Sequence, residues 1–469
     1  MPQVTQLLLG GAHVASAAWC VYHALMYKQD SRSALGWIMV ALFVPFAGPI
    51  AYFLFGINRI RSRAYGLRRP YRSADLDEDT VRVALGVPGV PTQLITAGGR
   101  ISGNAAIGGN SLAMLHCGDE AYPAMLDAIA GAKRRLFLST YIMNHDDVGI
   151  AFADALGEAV RRGVDVRVLL DGVGEYYGFP WMSGRLVDRD VRVARFLPPR
   201  LLPPSFYINL RNHRKILVAD DDLAFLGGIN ISEDNVTSEH RQRSVADIHF
   251  RLRGPAASRL ASVFAVDWAF ATGGTIEEVG DACPPDGGAA CRVIADGPDN
   301  DYDALAMTIE SAIGCAVHSV DVMTPYFLPD GSMLAMLTAA ALRGVRVRIV
   351  LPRKNNLPFV HWAAQNRLLE LARWSVEIYY QPPPFCHAKL LRIDDAYSLI
   401  GSANLDARSL KLNFEIGMEV FDSALATELG GHFDRTIDGS DRVTAESLLA
   451  RSTAVRLRDS AAALLSPYL

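Results

Sequence analysis

One pattern occurs twice and restricts the fold more than any other feature. The first copy reads Asn212-His213-Arg214-Lys215-Ile216-Leu217-Val218-Ala219-Asp220, then Gly227-Gly228-Ile229-Asn230. The second reads Cys386-His387-Ala388-Lys389-Leu390-Leu391-Arg392-Ile393-Asp394, then Gly401-Ser402-Ala403-Asn404. Each matching position is offset by 174 residues. A full pattern repeated at constant offset means a duplicated unit, so the chain folds as two similar halves.

His and Lys at i and i+2 on a strand put both side chains on one face. Lys215 to Val218 and Lys389 to Leu391 read as buried strands. Two copies face to face gather two imidazoles and two ammonium groups around one point. That set suits a phosphate diester: lysines neutralise the non-bridging oxygens, one histidine attacks phosphorus, and the other protonates the leaving oxygen. The cationic side chains take the part a metal would play, so neither metal nor cofactor is expected.

The paired motif resembles the signature of the phospholipase D superfamily, and more closely its bacterial cardiolipin synthase branch. Arg211-Asn212-His213-Arg214-Lys215-Ile216 with Gly227-Gly228-Ile229-Asn230 looks like that branch. So does Gly401-Ser402-Ala403-Asn404-Leu405-Asp406-Ala407-Arg408-Ser409, followed by Asn413-Phe414-Glu415. The resemblance implies catalytic roles for His213, Lys215, Asp220, His387, Lys389 and Asp394. It implies phosphate contacts from Asn230, Asn404 and Ser402, where the first half has Gly228. Asp247 and Glu415 resemble the acids that orient each histidine, and Asp220 and Asp394 resemble structural acids pairing across the interface. The other histidines, His145 and His249 among them, read as surface or core residues. The implied reaction is ping-pong: one histidine takes a phosphatidyl group, and the hydroxyl of a second lipid displaces it. By analogy His213 is the nucleophile and His387 the acid; the sequence does not order them. The implied partners are anionic phospholipids, phosphatidylglycerol and cardiolipin, in a membrane. A phosphatidyl hydrolase, a nuclease of the same superfamily and an inactive scaffold are the competing readings.

Composition bears on that choice. Hydrophobic residues make up 50% of the 469 and charged ones 20%, which leans towards a membrane-associated protein. A net charge of −4 argues against a nucleic-acid binder. The six cysteines include no CxxC pair, so reduced thiols are expected rather than a disulfide framework or zinc site. The sequence sets no oligomeric state, and an oligomer is compatible with it.

The fold class expected is α/β: two similar halves, each a mixed sheet sandwiched by helices, preceded by an N-terminal transmembrane hairpin. The hairpin comes from uncharged runs of 21 residues, Leu7 to Tyr27, and 22 residues, Ala34 to Phe55. Each is long enough to span a bilayer, which takes about 20 apolar residues. A signal peptide competes for the first run, but it lacks a basic leader. Pro45, Gly48 and Pro49 would kink the second or make it re-entrant. Arg59, Arg61, Arg63, Arg68, Arg69 and Arg72 follow, with no acid before Asp75. The positive-inside rule then puts the catalytic region on the cytoplasmic side of a bacterial inner membrane.

The domain boundaries expected are a membrane region 1–63, a linker 64–110 with little regular structure, halves at 111–282 and 290–440, and a tail helix 441–469. In the first half, helices at Glu120 to Ala132 and Gly149 to Arg161 alternate with strands at Arg135 to Met143, Val164 to Leu170 and Val191 to Phe196. The second repeats the plan, and Arg343-Gly344 ends a helix as Arg162-Gly163 does. Leucines and arginines alternate in the tail, which fits an interfacial amphipathic helix and a packed one equally well.

Overall fold

The structure, a computed structural model, describes residues 2–28, 31–56, 89–199, 210–238, 243–276, 279, 286–298, 303–464 and 466. It divides into an N-terminal unit and a catalytic unit. The arginine cluster from Arg59 to Arg72 lies outside the described residues.

In the N-terminal unit, Pro2–Tyr27 is one α-helix, and its Val4–Tyr27 stretch is long and apolar enough to cross a membrane. The second apolar run is not one continuous helix. It forms a helix over Ser31–Phe43, breaks, and resumes as Ala47–Ala51 with a wide turn at Tyr52–Gly56. Pro45 has no N–H to continue the helix, and Phe46 sits at φ 61°. Cys20, Ala24, Ala41 and Tyr52 form the small buried centre of this unit.

The catalytic unit is built on one sheet of fifteen strands. The first half supplies β1 (Ile107–His116), β2 (Arg135–Thr140), β3 (Asp165–Asp171), β4 (Arg192–Phe196), β5 (Ile216–Ala219), β6 (Leu223–Gly227) and β8 (Ile248–Arg253). The second supplies β9 (Ala289–Asp296), β10 (Ser319–Met323), β11 (Arg346–Pro352), β12 (Glu377–Gln381), β14 (Leu390–Ile393), β15 (Tyr397–Gly401), β16 (Glu415–Phe421) and β17 (Asp441–Val443). Across the sheet the order is β4-β3-β2-β5-β6-β8-β1, then β9-β16-β15-β14-β10-β11-β12-β17. The two runs mirror each other about the β1–β9 pair, apart from the added β17. β2, β3 and β4 run parallel, as do β10, β11 and β12, and the motif strands β5 and β14 pair antiparallel to β2 and β10. Two short strands outside the sheet, β7 (Val245–Ala246) and β13 (Phe385–Cys386), pair with each other in parallel.

The same local chemistry shapes both halves. Asp146 caps the helix Asp147–Arg161 by accepting the Gly149 N–H at 2.9 Å, and Asp330 caps Gly331–Leu342 by accepting that of Met333 at 3.1 Å. Both helices end where a glycine takes a positive φ, 86° at Gly163 and 90° at Gly344. Each half has its own apolar core. Leu136, Val168, Phe152 and Phe225 lie in one; Ile309, Val347, Ile378 and Leu368 lie in the other.

Two expectations for chain organisation are corrected. The 64–110 linker contains the helix Thr92–Ser102, with Leu94 and Ile95 in the core of the second half, and β1 begins at Ile107. Its lower part, through residue 88, lies outside the described residues. The 441–469 tail is not one helix. It adds β17 beside β12, then forms short helices Ala445–Leu449 and Thr453–Ala463. Ala462 joins Leu328, Val360, Ala363 and Ala364 in a small core, so the last helix packs on the second half, while Leu457 and Leu464 stay exposed.

Candidate active site

The motif histidines and lysines lie just before the strands expected to carry them, since β5 starts at Ile216 and β14 at Leu390. The extended segment ahead of each strand is held by the other half. The His213 N–H donates to the Phe414 carbonyl at 2.9 Å, and the Phe414 N–H donates to that of Arg211 at 2.7 Å. In the mirror arrangement, the His387 N–H donates to the Ala246 carbonyl at 2.7 Å, beside the β7–β13 pair. Each histidine is therefore set against the segment that leads into the other half's acid.

The side chains complete the exchange. His213 Nδ1 lies 3.0 and 3.1 Å from the two Glu415 oxygens, and His387 Nδ1 lies 3.0 Å from Asp247 Oδ2. An ionised carboxylate only accepts, so Nδ1 of His213 carries a hydrogen and its Nε2 is left for chemistry. His387 Nδ1 meets both the Asp247 carboxylate and, at 2.8 Å, the Lys389 ammonium; the carboxylate favours the same tautomer there. The two imidazole centroids are 6.5 Å apart with their planes at 83°. That gap has room for a phosphate group with one nitrogen on either side.

The electrostatics follow from burial. Burial pushes His387 down to about 4, with Lys389 adding to the effect. It also lowers His213, against the opposing pull of Glu415. Both shifts favour the neutral imidazole at pH 7. Burial brings Lys215 to about 7 and Lys389 to about 8. Burial alone would raise Glu415 and Asp247, but His213, then Lys215, outweigh it at Glu415, and Lys389, then the hydrogen bond from His387, outweigh it at Asp247, so both sit below the usual carboxylate range. The Lys215 ammonium donates to the His213 carbonyl at 2.8 Å, and Lys389 donates likewise to that of His387. Tyr141 meets the His213 ring edge-on at 5.1 Å between centroids, and Tyr326 meets His387 at 6.3 Å.

The remaining expected residues divide. Asn404 is buried; its Nδ2 donates to Ser409 Oγ at 3.1 Å, while its Oδ1 finds no partner among the described residues. Asn230 Oδ1 accepts the Ile142 N–H at 3.4 Å. Ser402 gives its hydroxyl hydrogen to Glu415 Oε2 at 2.5 Å, so it bears on the site through the carboxylate that holds His213. Asp220 and Asp394 are away from the histidines and do not pair across the interface. Asp220 accepts the N–H groups of Lys133, Arg134 and Arg135, and Asp394 accepts those of Val317, His318 and Ser319. Both lie at the far ends of the motif strands, where each tethers a turn to the start of β2 or β10. Among the described residues, no group of three or more His, Cys, Asp or Glu side chains is arranged to hold a metal.

Several partners were not legible in the sequence. Asp171, at the end of β3, accepts the Asn212 N–H at 2.7 Å and fixes the approach to His213; burial pushes its carboxyl up to about 6. Arg214 is fully buried. It reaches both Asp267 oxygens at 2.5 Å, the Glu415 carbonyl at 2.8 Å and the Asp296 carbonyl at 2.9 Å. Asn413 Nδ2 donates to Glu415 Oε1 at 3.0 Å. Proximity in the chain signals none of these contacts except the last.

A mirrored two-half sheet, with paired histidines and lysines at its centre, defines a phospholipase D-type enzyme. The family described as "Cardiolipin synthase, PLD-like domain" matches residues 125–268 and 309–437, more than half of the chain. One described as "Phospholipase D-nuclease N-terminal" matches 15–56. The chain belongs to the phospholipase D-like cardiolipin synthase family and is a phosphatidyltransferase of that type. It is 30% identical to a cardiolipin synthase of Oceanobacillus iheyensis over 99% of this chain and 100% of the relative. It is 31% identical to cardiolipin synthase A of Pseudomonas putida over 98% of each chain. It is 28% identical to the major cardiolipin synthase ClsA of Bacillus subtilis over 99% of this chain and 100% of the relative. Among solved structures, a phosphatidylserine synthase of Haemophilus influenzae shares the fold at a TM-score of 0.62 and 14% identity, covering 84% of this chain and all of its own.

Proposed function

We propose that the protein makes cardiolipin and glycerol from two phosphatidylglycerol molecules. The observation that carries this reading is the pair of imidazoles 6.5 Å apart, each held through Nδ1 by a carboxylate of the opposite half. In the first step Nε2 of His213 attacks phosphorus and the bond to the glycerol headgroup breaks. His387 gives an Nε2 proton to the departing oxygen, and a phosphatidyl group stays on His213. In the second step the terminal hydroxyl of another phosphatidylglycerol attacks that phosphorus, returns a proton to His387, and the P–N bond breaks. The arriving phosphodiester carries a negative charge, which favours the protonated form of His387 that burial disfavours. Lys215 and Lys389 neutralise the non-bridging oxygens as charge builds on them. Asn230 and Asn404 contribute polar contacts to the phosphate. Excluding water and holding the acceptor close is worth about 7–11 kcal/mol, enough to favour a bound alcohol over hydrolysis.

Purified full-length enzyme given labelled phosphatidylglycerol in mixed micelles tests the reading. Cardiolipin should form with glycerol, and added glycerol should drive the reaction back. Phosphatidic acid as main product, insensitive to glycerol, would replace this reading with a hydrolase. A trapped adduct on one histidine names the nucleophile. We also propose that the catalytic unit faces the cytoplasm, on the strength of the arginines that follow the apolar runs. A cysteine in place of the exposed Asp395, in a cysteine-substituted background, should react with an impermeant label only after cell lysis. Reaction in intact cells would reverse the orientation.

A further inference from the structure

We infer that the catalytic unit has its own lipid-docking face, made of two loops that leave equivalent strands on either side of the histidine pair. The inference rests on the lipid-substrate reading above and adds a surface to it.

The first loop follows β3. Tyr176, Tyr177, Phe179 and Trp181 are all exposed on it, Phe179 at 87%. The second follows β11, the strand that occupies the place of β3 in the other half. It carries exposed Lys354, Leu357 and Phe359. Apolar side chains this open are unusual at a single site, and here they recur at mirrored positions.

Each loop connects to a histidine through one tyrosine. Tyr177 meets Tyr141 at 5.9 Å between centroids, and Tyr141 meets His213 at 5.1 Å. In the other half, the Tyr326 hydroxyl donates to Asn356 Oδ1 at 2.8 Å, and the Tyr326 ring lies 6.3 Å from His387. The loops therefore rim the opening that leads to the phosphate gap.

The loops are fixed at the root and bare at the tip. Glu175 accepts the Ser183 N–H at 3.1 Å and pairs with Arg195 at 2.6 Å. Trp181 packs edge-on against Tyr176 at 5.2 Å. Asn355 Nδ2 donates to the Pro325 carbonyl at 2.8 Å, and Val360 is buried in a small core just past Phe359. A held loop with Trp, Tyr and Phe at its tip suits the headgroup level of a bilayer, where amphipathic aromatic rings collect. Lys354 beside the second tip matches an anionic headgroup. The occupant we assign is the surface of an anionic phospholipid bilayer.

The test uses the full-length protein in nanodiscs containing phosphatidylglycerol. An environment-sensitive probe is placed at position 179 or 359 in separate variants, and at Val317 as control. Val317 is also exposed and apolar, but it sits beside Asp394 at the opposite end of the motif strand. Spin-labelled lipid should quench the probes at 179 and 359 and spare the one at 317. Equal quenching at all three, or none at 179 and 359, overturns the docking face. So does protection of these probes in detergent that grows with protein concentration, because a second copy of the chain would then be the occupant. In a parallel assay, the double variant Phe179→Ser, Phe359→Ser should raise the apparent KM for bilayer phosphatidylglycerol about tenfold with kcat unchanged. Its turnover of a monomeric short-chain phosphatidylglycerol should stay at the wild-type level. An unchanged bilayer KM counts against the face. Quenching does not depend on turnover, so lipid contact without cardiolipin formation would fault the reaction assigned above and leave the docking face standing.

Discussion

The two halves place their histidines alike and support them differently. Both backbones run the motif segment alongside the partner half, and both imidazoles take a carboxylate from across the interface. Around those carboxylates the equivalence stops. Glu415 receives Ser402, Asn413 and His213, while Asp247 receives His387 and its neighbour's N–H, from Ile248 at 2.8 Å. Where the second half has Ser402, the first has Gly228, and a Cβ there would lie 2.4 Å from Asp247 Oδ2. Where the first half has Arg214, the second has Ala388. His249 pairs with Gly227 where Gly417 pairs with Gly401. Duplication thus preserved the positions of the reacting nitrogens and let their supports diverge. That is the pattern expected if the two histidines do different work on one phosphate.

The strongest challenge to a shared site is removal of either imidazole. His213→Ala and His387→Ala should each lower turnover by about 10³-fold or more, with melting temperatures near wild type. Measured on labelled phosphatidylglycerol, near-normal activity in either variant would separate the halves into independent sites.

Next come the carboxylates. Glu415→Gln and Asp247→Asn put an amide against Nδ1, and its N–H can turn the ring to the wrong tautomer. Losses of about 10²–10⁴-fold in kcat are expected from each. An effect confined to one variant would mean that only one histidine depends on a fixed tautomer.

Arg214 tests the asymmetry through stability. Arg214→Ala removes the guanidinium paired with Asp267, and breaking such a buried pair costs about 3–5 kcal/mol. Denaturant unfolding should register that loss, whereas Ala388→Ser, at the equivalent position, should stay much nearer wild type.

Smaller effects are expected from the Gly228–Ser402 difference. Ser402→Ala removes one donor from Glu415 and should cost about tenfold in kcat. Gly228→Ala drives a methyl group into Asp247 and should cost more. The reverse order would show that the two carboxylates are not held as their surroundings indicate.

The smallest effect is a pH limb with opposite signs in activity and stability. Lys215 and Lys389, at about 7 and 8, lie below the ordinary lysine value. As pH rises from 7 to 9 they lose the charge that receives the phosphate, so kcat/KM should fall. Over the same range the folded chain binds fewer protons than the unfolded one, so their burial penalty fades and stability gains. Relative to Lys215→Met, the wild type should become more stable as pH rises from 7 to 9. A flat kcat/KM profile there would mean that neither lysine titrates in the free enzyme.

The sequence alone determined what depends on local order. The duplication, the alternation of helices and strands, and the identity of the motif histidines and lysines follow from spacing along the chain, and the resemblance those motifs carry implies the acids Asp247 and Glu415. The helix ends at Gly163 and Gly344 need only neighbouring residues, so they are legible without a fold. Tertiary structure decided the pairings. Nothing in the order of residues states that Glu415 serves His213 and Asp247 serves His387, or that Arg214 finds Asp267 and Asp296. Nor does it show that the acids at the motif ends, Asp220 and Asp394, turn away to hold backbone amides. Those contacts join positions some 50 to 200 residues apart. Some cross between the halves and others lie within one half, but all form only once the chain has folded and a buried polar group must find its partner, and local propensity contains no record of that demand.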